Sequence, residues 1–189
     1  MKISVREMAS VSLFTALTAM GAFISIPVGP VPITLQTLFV LLSGILLGPK
    51  LGAISQLIYV ILGLIGIPIF AEFSGGLQSV LKPSFGFLIG FIPAAYIVGR
   101  IIKNSRFTVH NSQLKEIVLA GSIGTIAIYL IGLPYMYFIL NHVMNMQLSF
   151  FEVFKMGAFL FIPGDIFKLI ISTVIGQKLT KYNLFRLIQ

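Results

Sequence analysis

The stretch FIPGDIFK, residues 161–168, decides the fold because it places two opposite charges inside an apolar run from about Val153 to Ile175. A run of this length can cross a bilayer, since a transmembrane helix needs roughly 20 mostly apolar residues. Asp165 and Lys168 are three positions apart and therefore share one face of a helix. Each charge at the middle of a membrane costs about 2.5–3.5 kcal/mol on the insertion scale. The two side chains are therefore predicted to face a cavity, a partner or each other.

The composition of the chain indicates an integral membrane protein. Of its 189 residues, 57% are hydrophobic and 10% are charged, whereas a soluble domain is about 45–50% apolar and about 25% charged. We therefore expect residues 1–189 to form a single domain embedded in the lipid bilayer. The chain contains no cysteine, which excludes disulfides, thiolate catalysis and metal sites built on cysteine.

Hydropathy and the positions of proline and glycine predict an all-α, polytopic bundle of six transmembrane helices. The predicted spans are residues 5–26, 35–47, 51–67, 83–102, 117–140 and a last one that follows residues 141–149 and continues to 176. Proline and glycine end several of them, notably at Gly48-Pro49 and at Pro68. The fifth span is expected to break near Gly132-Leu133-Pro134. The second and third spans are short, which predicts helices that cross only in part or that line a cavity.

The distribution of basic residues predicts the orientation of the bundle. With the N-terminus inside, Lys82 and Lys155 fall on the outer side and Lys168 falls within the membrane. The cytoplasmic segments then hold Lys2, Arg6, Lys50, Arg100, Lys103, Arg106, Lys115, Lys178, Lys181 and Arg186. An excess of Lys and Arg is typical of cytoplasmic loops, so we expect a multi-pass protein of the cell membrane with both termini in the cytoplasm. The net charge of +8 is thus assigned to topology and not to nucleic-acid binding.

This orientation predicts a substrate pocket that opens outward. The Pro- and Gly-rich connector at residues 27–32 and the longer connector at residues 69–82 both fall on the outer side. Asp165 is expected in the middle of a helix that descends from that side, where a solute can reach it. The two connectors are predicted to cover the pocket.

Nothing in the sequence predicts an enzyme, a cofactor or a metal centre. The acidic residues are Glu7, Glu72, Glu116, Glu152 and Asp165. Asp165 alone falls deep within a predicted span, so the sequence offers no paired carboxylates for acid–base chemistry inside the membrane. His110 and His142 fall in opposite loops, and the zinc-site, P-loop and nucleophile-elbow motifs are absent from the sequence. The chain is therefore expected to hydrolyse no nucleotide by itself.

Three roles fit the Asp165–Lys168 pair. It could join two helices as a structural ion pair, Asp165 could relay protons in a proton-coupled carrier, or the pair could bind a ligand. In the last role, which we favour, the carboxylate accepts hydrogen bonds from N–H groups and the ammonium donates to an oxygen. Such a pair suits a small solute that presents donors and an acceptor side by side, as a cyclic urea or amide does.

Polar and aromatic residues near the outer connectors extend this candidate site. Thr34, Gln36 and Thr37 enter the second span, where Thr34 could cap the helix and Gln36 could bond a neighbouring helix, or both could face the pocket. Aromatic side chains could wall an apolar pocket or anchor the chain at the membrane edge. The aromatic residues in question are Tyr59, Phe70, Phe73, Phe85 and Phe87.

Small residues at four-residue spacing predict close helix packing. In the first span, Ser12 precedes Ala16 and Thr15 precedes Ala19 at this spacing. Such pairs allow two backbones to approach closely, either inside the bundle or against a partner protein. Because two pairs overlap there, the first span is the best candidate for a surface that faces a partner.

Four motifs occur in order along nearly the whole chain. They are Pro30-x-Pro32-x-Thr34-x-Gln36-Thr37, Leu42-Ser43-Gly44-x-Leu46-Leu47-Gly48-Pro49, Tyr59-x-x-x-Gly63-x-x-Gly66-x-Pro68-x-Phe70-Ala71 and Pro163-Gly164-Asp165-x-x-Lys168. Together they resemble the BioY family, the biotin-specific S components of energy-coupling factor (ECF) transporters. The resemblance implies a six-helix bundle that binds biotin from outside with high affinity for uptake. It also implies partners that supply the energy, namely two ATP-binding-cassette ATPases and a membrane coupling protein.

The resemblance also implies roles for individual residues. Biotin would contact Asp165, Lys168, Gln36, Thr34, Ser74, Gly75, Tyr59 and Phe85, with Thr34 and Gln36 as part of a gate over the ligand. The coupling protein would contact Ser12, Ala16, Thr15 and Ala19. Two segments depart from the family pattern. Residues 71–76 read AEFSGG, where many relatives have more glycine or an asparagine near position 74, and residues 83–87 read PSFGF where PTGGY is usual.

The resemblance leaves the pose of the ligand open. The ureido ring would bond to Asp165 and Lys168, while the valerate tail would lie either toward the mouth of the pocket or toward Lys168. The function also has alternatives: an S component for another vitamin, a biotin carrier that works without the ATPases, or a structural or regulatory subunit without a ligand. Affinity and oligomeric state are not encoded in any recognisable pattern.

Overall fold

The computed structural model describes residues 4–104 and 110–181, which are mostly helical. The α-helices of these residues are α1 Val5–Phe23, α2 Gln36–Leu64, α3 Phe85–Asn104, α4 His110–Phe138, α5 Phe150–Phe154 and α6 Ile162–Lys181. The first connector, residues 24–35, forms a short antiparallel hairpin in which Ser25 pairs with Thr34 and Ile26 with Ile33. The second connector, residues 65–84, contains the 3₁₀ helices Ala71–Phe73 and Leu77–Leu81.

Helix α2 consists of two arms that meet at Gly48. This residue has φ 77° and ψ −176°, a left-handed conformation inside the helix, and Pro49 follows it. Glycine adopts positive φ without the steric cost that other residues meet. Helix α3 packs against this bend at Gly99, where an added Cβ would lie 2.4 Å from the carbonyl carbon of Gly48. The predicted boundary between the second and third spans at Gly48-Pro49 thus coincides with a real change of helix direction.

Within the described residues, four helical stretches are long and apolar enough to cross a membrane. They are Gln36–Leu64, Phe85–Asn104, Leu114–Val143 and Phe150–Thr180. Helix α1 is not among them, because Arg6 and Glu7 in its first turn and several serines and threonines lower its hydropathy. These findings support a helical, multi-pass membrane protein.

The predicted break in the fifth span is wrong. Helix α4 continues through Pro134 to Phe138, and only then widens into a π-helix at Ile139–Val143. A proline in a helix removes one backbone hydrogen bond, but membrane helices tolerate this where neighbouring groups compensate. Leu133 and Met136 beside it are buried in the core, so packing holds the helix together at this point.

The last apolar run is not one regular helix. Helix α5 leads into a π-helix at Lys155–Phe159, and α6 begins at Ile162. Pro163 therefore lies in the first turn of α6, where a missing N–H is tolerated. Asp165 also lies in this first turn, not in the middle of a helix as the sequence suggested.

Helix α1 packs against α2 through part of the small-residue pattern. Thr15 and Ala19 are buried, and the Thr15 hydroxyl donates to the carbonyl oxygens of Val11 and Ser55, both at 2.9 Å. Their prediction as partner-facing residues is therefore wrong, because this face of α1 is used inside the bundle. Ser12 and Ala16 are exposed and lie on the adjacent face of the helix.

Candidate substrate-binding site

A cavity of about 280 Å³ lies between the two connectors and helices α2, α3, α4 and α6. Most of the residues predicted to contact a ligand line it. They are Thr34, Gln36, Ser74, Phe85, Asp165 and Lys168. Residues from opposite ends of the chain therefore meet at one cavity, which is the arrangement expected of a small-molecule site.

Tyr59 and Gly75 do not line this cavity. Tyr59 is fully buried behind Gln36; its hydroxyl accepts a hydrogen bond from Gln36 Nε2 at 2.7 Å and donates to the carbonyl oxygen of Ile69 at 3.0 Å. Gly75 faces the end of α2, since a Cβ added to it would lie 3.2 Å from the carbonyl oxygen of Gly63. Tyr59 thus supports a cavity residue from behind, and Gly75 packs the second connector against the helix.

Asp165 and Lys168 form an ion pair in the cavity wall. Lys168 Nζ lies 2.6 Å from Asp165 Oδ1, and the lysine is only 3% exposed. Lys168 also donates to the backbone carbonyl oxygen of Thr34 at 3.2 Å, while the hydroxyl of Tyr129 donates to Asp165 Oδ2. The first turn of α6 adds a favourable helix dipole for the carboxylate. Each of the two charges therefore has two partners and still lines the cavity.

Thr34 and Gln36 continue this polar wall into the first connector. The Thr34 hydroxyl donates to Gln36 Oε1 at 2.9 Å and accepts a hydrogen bond from the Gln36 backbone N–H at 3.4 Å. The residue at the N-cap of α2 is Leu35, which makes no side-chain cap. Gln36 reaches Tyr59 on the second arm of α2. The contacts run without interruption from Tyr129 through the ion pair to Ile69.

Aromatic side chains form the apolar part of the cavity. Phe70 and Phe85 contact each other edge to face, with ring centroids 6.4 Å apart, and Phe87 contacts Tyr129 in the same way at 6.0 Å. Phe91 and Phe161 line the cavity as well. Phe73, a further candidate from the sequence, is 67% exposed and stacks on Phe23 at the end of α1 instead.

Sequence reasoning missed several lining residues. Tyr129 and Thr125 both come from α4, at a four-residue spacing that puts them on one face. Two polar residues on one face of a predicted transmembrane span were the available signal. Lys82 and Ser79 line the cavity from the second connector, and Glu72 adds an exposed carboxylate there. The charged residues of the lining are thus Glu72, Lys82, Asp165 and Lys168.

Comparison with known proteins places these features in a family. The chain is 42% identical to a protein named probable biotin transporter BioY from Lysinibacillus sphaericus, over 97% of this chain and 90% of that protein. It is 36% identical to the biotin transporter BioY of Thermotoga maritima, over 96% and 99% of the two chains. The crystal structure of the S-component for biotin from an ECF-type ABC transporter superposes with a TM-score of 0.82 at 29% identity, over 96% and 95% of the two chains. A family model described as BioY family matches residues 1–184, and the chain therefore belongs to the BioY family.

Proposed function

We propose that this chain binds biotin and serves as the biotin-specific S component of an ECF transporter in the cell membrane. The relatives that it matches over almost their full length are named biotin transporters, and the similar solved structure is that of an S-component for biotin. The observation that carries the proposal is the Asp165–Lys168 pair, which lines the cavity and is held there by Tyr129 and Thr34. Such a pair matches the donors and acceptor of a ureido ring.

The ureido ring of biotin presents N–H groups beside a carbonyl oxygen. Asp165 accepts from the N–H groups, and Lys168 donates to the carbonyl oxygen, as a charge-assisted contact that is stronger than a neutral one. Both side chains are already oriented by their neighbours, so little conformational entropy is lost on binding. The sulfur-containing ring of biotin packs on the aromatic part of the cavity, formed by Phe85, Phe87 and their neighbours.

For the membrane topology, we propose six spans within a single domain: α1, the two arms of α2, α3, α4 and the α5–α6 segment. Basic residues support this arrangement, since Lys50 follows the bend of α2, Lys103 lies in the last turn of α3 and Lys178 near the end of α6. These positions fall on one side in the proposed topology, which is the cytoplasmic side by the positive-inside rule. The cavity then opens outward and both termini are cytoplasmic.

Transport in this proposal depends on partner subunits. The sequence has no P-loop, so the energy comes from two ATPases that act through a membrane coupling protein. The exposed face of α1 around Ser12 and Ala16 is the proposed contact with that coupling protein, because its small side chains permit close helix approach. Thr15 and Ala19 play no part in it, since both pack inside the bundle.

Equilibrium binding of labelled biotin to the purified chain tests the proposed function. We expect saturable biotin binding and a rise in melting temperature, because a ligand that binds only the folded state stabilises it. Riboflavin and thiamine serve as controls and are expected to have no effect. Absence of biotin binding, or equal binding of either control vitamin, would overturn the proposal.

A further inference from the structure

The cavity contains a second lysine that has no acidic partner. Within residues 4–104 and 110–181, the ion pair of Asp165 and Lys168 is the only one, so Lys82 has no carboxylate within ion-pair distance in that part of the chain. Lys82 is half-buried and lines the cavity. A partly buried ammonium without a counter-charge favours an anionic ligand.

A hydroxyl without a partner lies one turn away from this lysine. Ser79 is 2% exposed and lines the cavity, and its Oγ has no hydrogen-bond partner among the described residues. The backbone N–H of Lys82 donates to the carbonyl oxygen of Ser79 at 3.0 Å, which closes the last turn of the 3₁₀ helix Leu77–Leu81. Lys82 follows this helix directly, and it lines the cavity as Ser79 does. The half-buried ammonium and the unsatisfied hydroxyl thus both belong to the part of the second connector that forms the cavity wall.

Helix α4 contacts both the ion pair and the 3₁₀ helix that carries Ser79. Tyr129 on α4 donates to Asp165, and Tyr135 on the same helix donates to the carbonyl oxygen of Val80 in the 3₁₀ helix. Six residues of α-helix at 1.5 Å each correspond to about 9 Å along its axis. The ion pair and the 3₁₀ helix thus contact α4 at two points along its axis, and these two parts of the cavity wall are its two polar ends.

We propose that Lys82 and Ser79 form a carboxylate subsite, and that it binds the valerate tail of biotin while the ureido ring lies against Asp165 and Lys168. This inference rests on the proposed function. Biotin carries its ureido ring at one end and a carboxylate at the end of a flexible alkyl chain at the other, which matches a cavity with two polar ends. The ligand oxygens supply the counter-charge that Lys82 lacks and the hydrogen-bond partner that Ser79 lacks.

The alternative pose, with the tail at Lys168, is disfavoured by charge. Lys168 already contacts Asp165 and the carbonyl oxygen of Thr34. A second carboxylate at this point would lie beside Asp165, and two like charges at one site repel each other. Of the two poses that the sequence left open, the one with the tail toward Lys168 is therefore disfavoured, and the subsite at the second connector would hold the tail away from the ion pair.

Binding of biotin and of biotinamide, in which the tail carboxylate is a neutral amide, tests the subsite. We expect the wild-type chain to prefer biotin. Lys82→Met should weaken biotin binding by about tenfold or more, the worth of a charge-assisted contact, and leave biotinamide binding within about twofold, so that the preference disappears. Lys82→Arg should retain the preference for biotin.

Ser79→Ala should lower the affinity for biotin alone, and by a smaller factor. It should not lower the melting temperature of the ligand-free chain, because the hydroxyl has no partner there to lose.

Lys155→Met is the matched control, because Lys155 is exposed, lies outside the cavity lining and contacts the ring of Phe151. It should leave both affinities unchanged. If Lys82→Met lowers the affinities for biotin and biotinamide equally, or if the wild-type chain has no preference between them, the proposed subsite is wrong. Either result would leave the proposal of biotin binding itself intact. Failure of the wild-type chain to bind either compound would instead overturn the proposed function.

Discussion

The two polar ends of the cavity differ in how completely their groups are paired. At the α6 end, Asp165 and Lys168 contact each other, and Tyr129 and the carbonyl oxygen of Thr34 occupy further positions around them. At the second connector, Lys82 has no acidic partner within the described residues, and the Ser79 hydroxyl has none of any kind there. The polar groups at the first end are thus paired without a ligand, whereas those at the second end would find their partners in the proposed ligand. Loss of a group should therefore affect stability and binding together at the first end, and binding alone at the second.

The largest effect is expected from Asp165→Asn. The substitution leaves the ammonium of Lys168 without its counter-charge in a buried position, and breaking a buried pair by removing one partner costs about 3–5 kcal/mol. Biotin affinity should fall at least about 100-fold, and the melting temperature of the ligand-free chain should fall as well. Equilibrium binding and thermal unfolding measure the two quantities. Unchanged biotin affinity in a folded Asp165→Asn chain would contradict the assignment.

The double variant Asp165→Asn with Lys168→Met separates the two effects. Removal of both charges should recover much of the lost stability, because no unpaired ion is left buried. It should recover none of the lost biotin affinity, since both ligand-binding groups are gone. Recovery of binding would show that the pair has only a structural role.

A smaller effect is expected from Tyr129→Phe, which removes the second partner of the Asp165 carboxylate and keeps the aromatic ring. A hydrogen bond to a charged group contributes about 1.5–3 kcal/mol, so biotin affinity should fall about tenfold. Tyr129 acts through Asp165, so the affinities for biotin and biotinamide should fall equally, and the preference for biotin should persist. A loss confined to biotin would place Tyr129 near the tail and break the distinction between the two ends.

The smallest effect is expected from Glu72→Gln at the second connector. Glu72 lines the cavity from the same connector as the proposed carboxylate subsite, but its side chain is exposed, so water and salt screen its charge. Removal of this like charge should strengthen biotin binding by no more than about twofold and leave biotinamide unchanged. The gain should disappear at high salt, which a titration of ionic strength would measure.

Local signals were sufficient for part of this architecture. The bend of α2 follows from Gly48-Pro49, because glycine permits the left-handed conformation and proline restricts the backbone next to it. The ion pair follows from the three-residue spacing of Asp165 and Lys168 on a helix. In both cases the residues that decide the feature are adjacent or within one turn, so no knowledge of the fold is needed.

Features that depend on packing between distant segments were not predictable in this way. The contact of Tyr129 with Asp165 joins residues 36 positions apart, and nothing in the sequence around either indicates the other. The two small-residue pairs of α1 looked equivalent, but only the Thr15 and Ala19 face meets α2. Pro134 indicated a break, yet buried neighbours maintain the helix. In each case the deciding contact lies on another element.

The bond from Lys168 to Thr34 ends on a backbone carbonyl oxygen, and this has a consequence for mutational tolerance. Every residue type has a backbone carbonyl, so a substitution at position 34 can remove the hydroxyl and still leave this contact between the first connector and α6 in place. An alanine scan through the hairpin, which leaves the backbone in place, would therefore not detect this contact. It would become visible only when Lys168 itself is replaced.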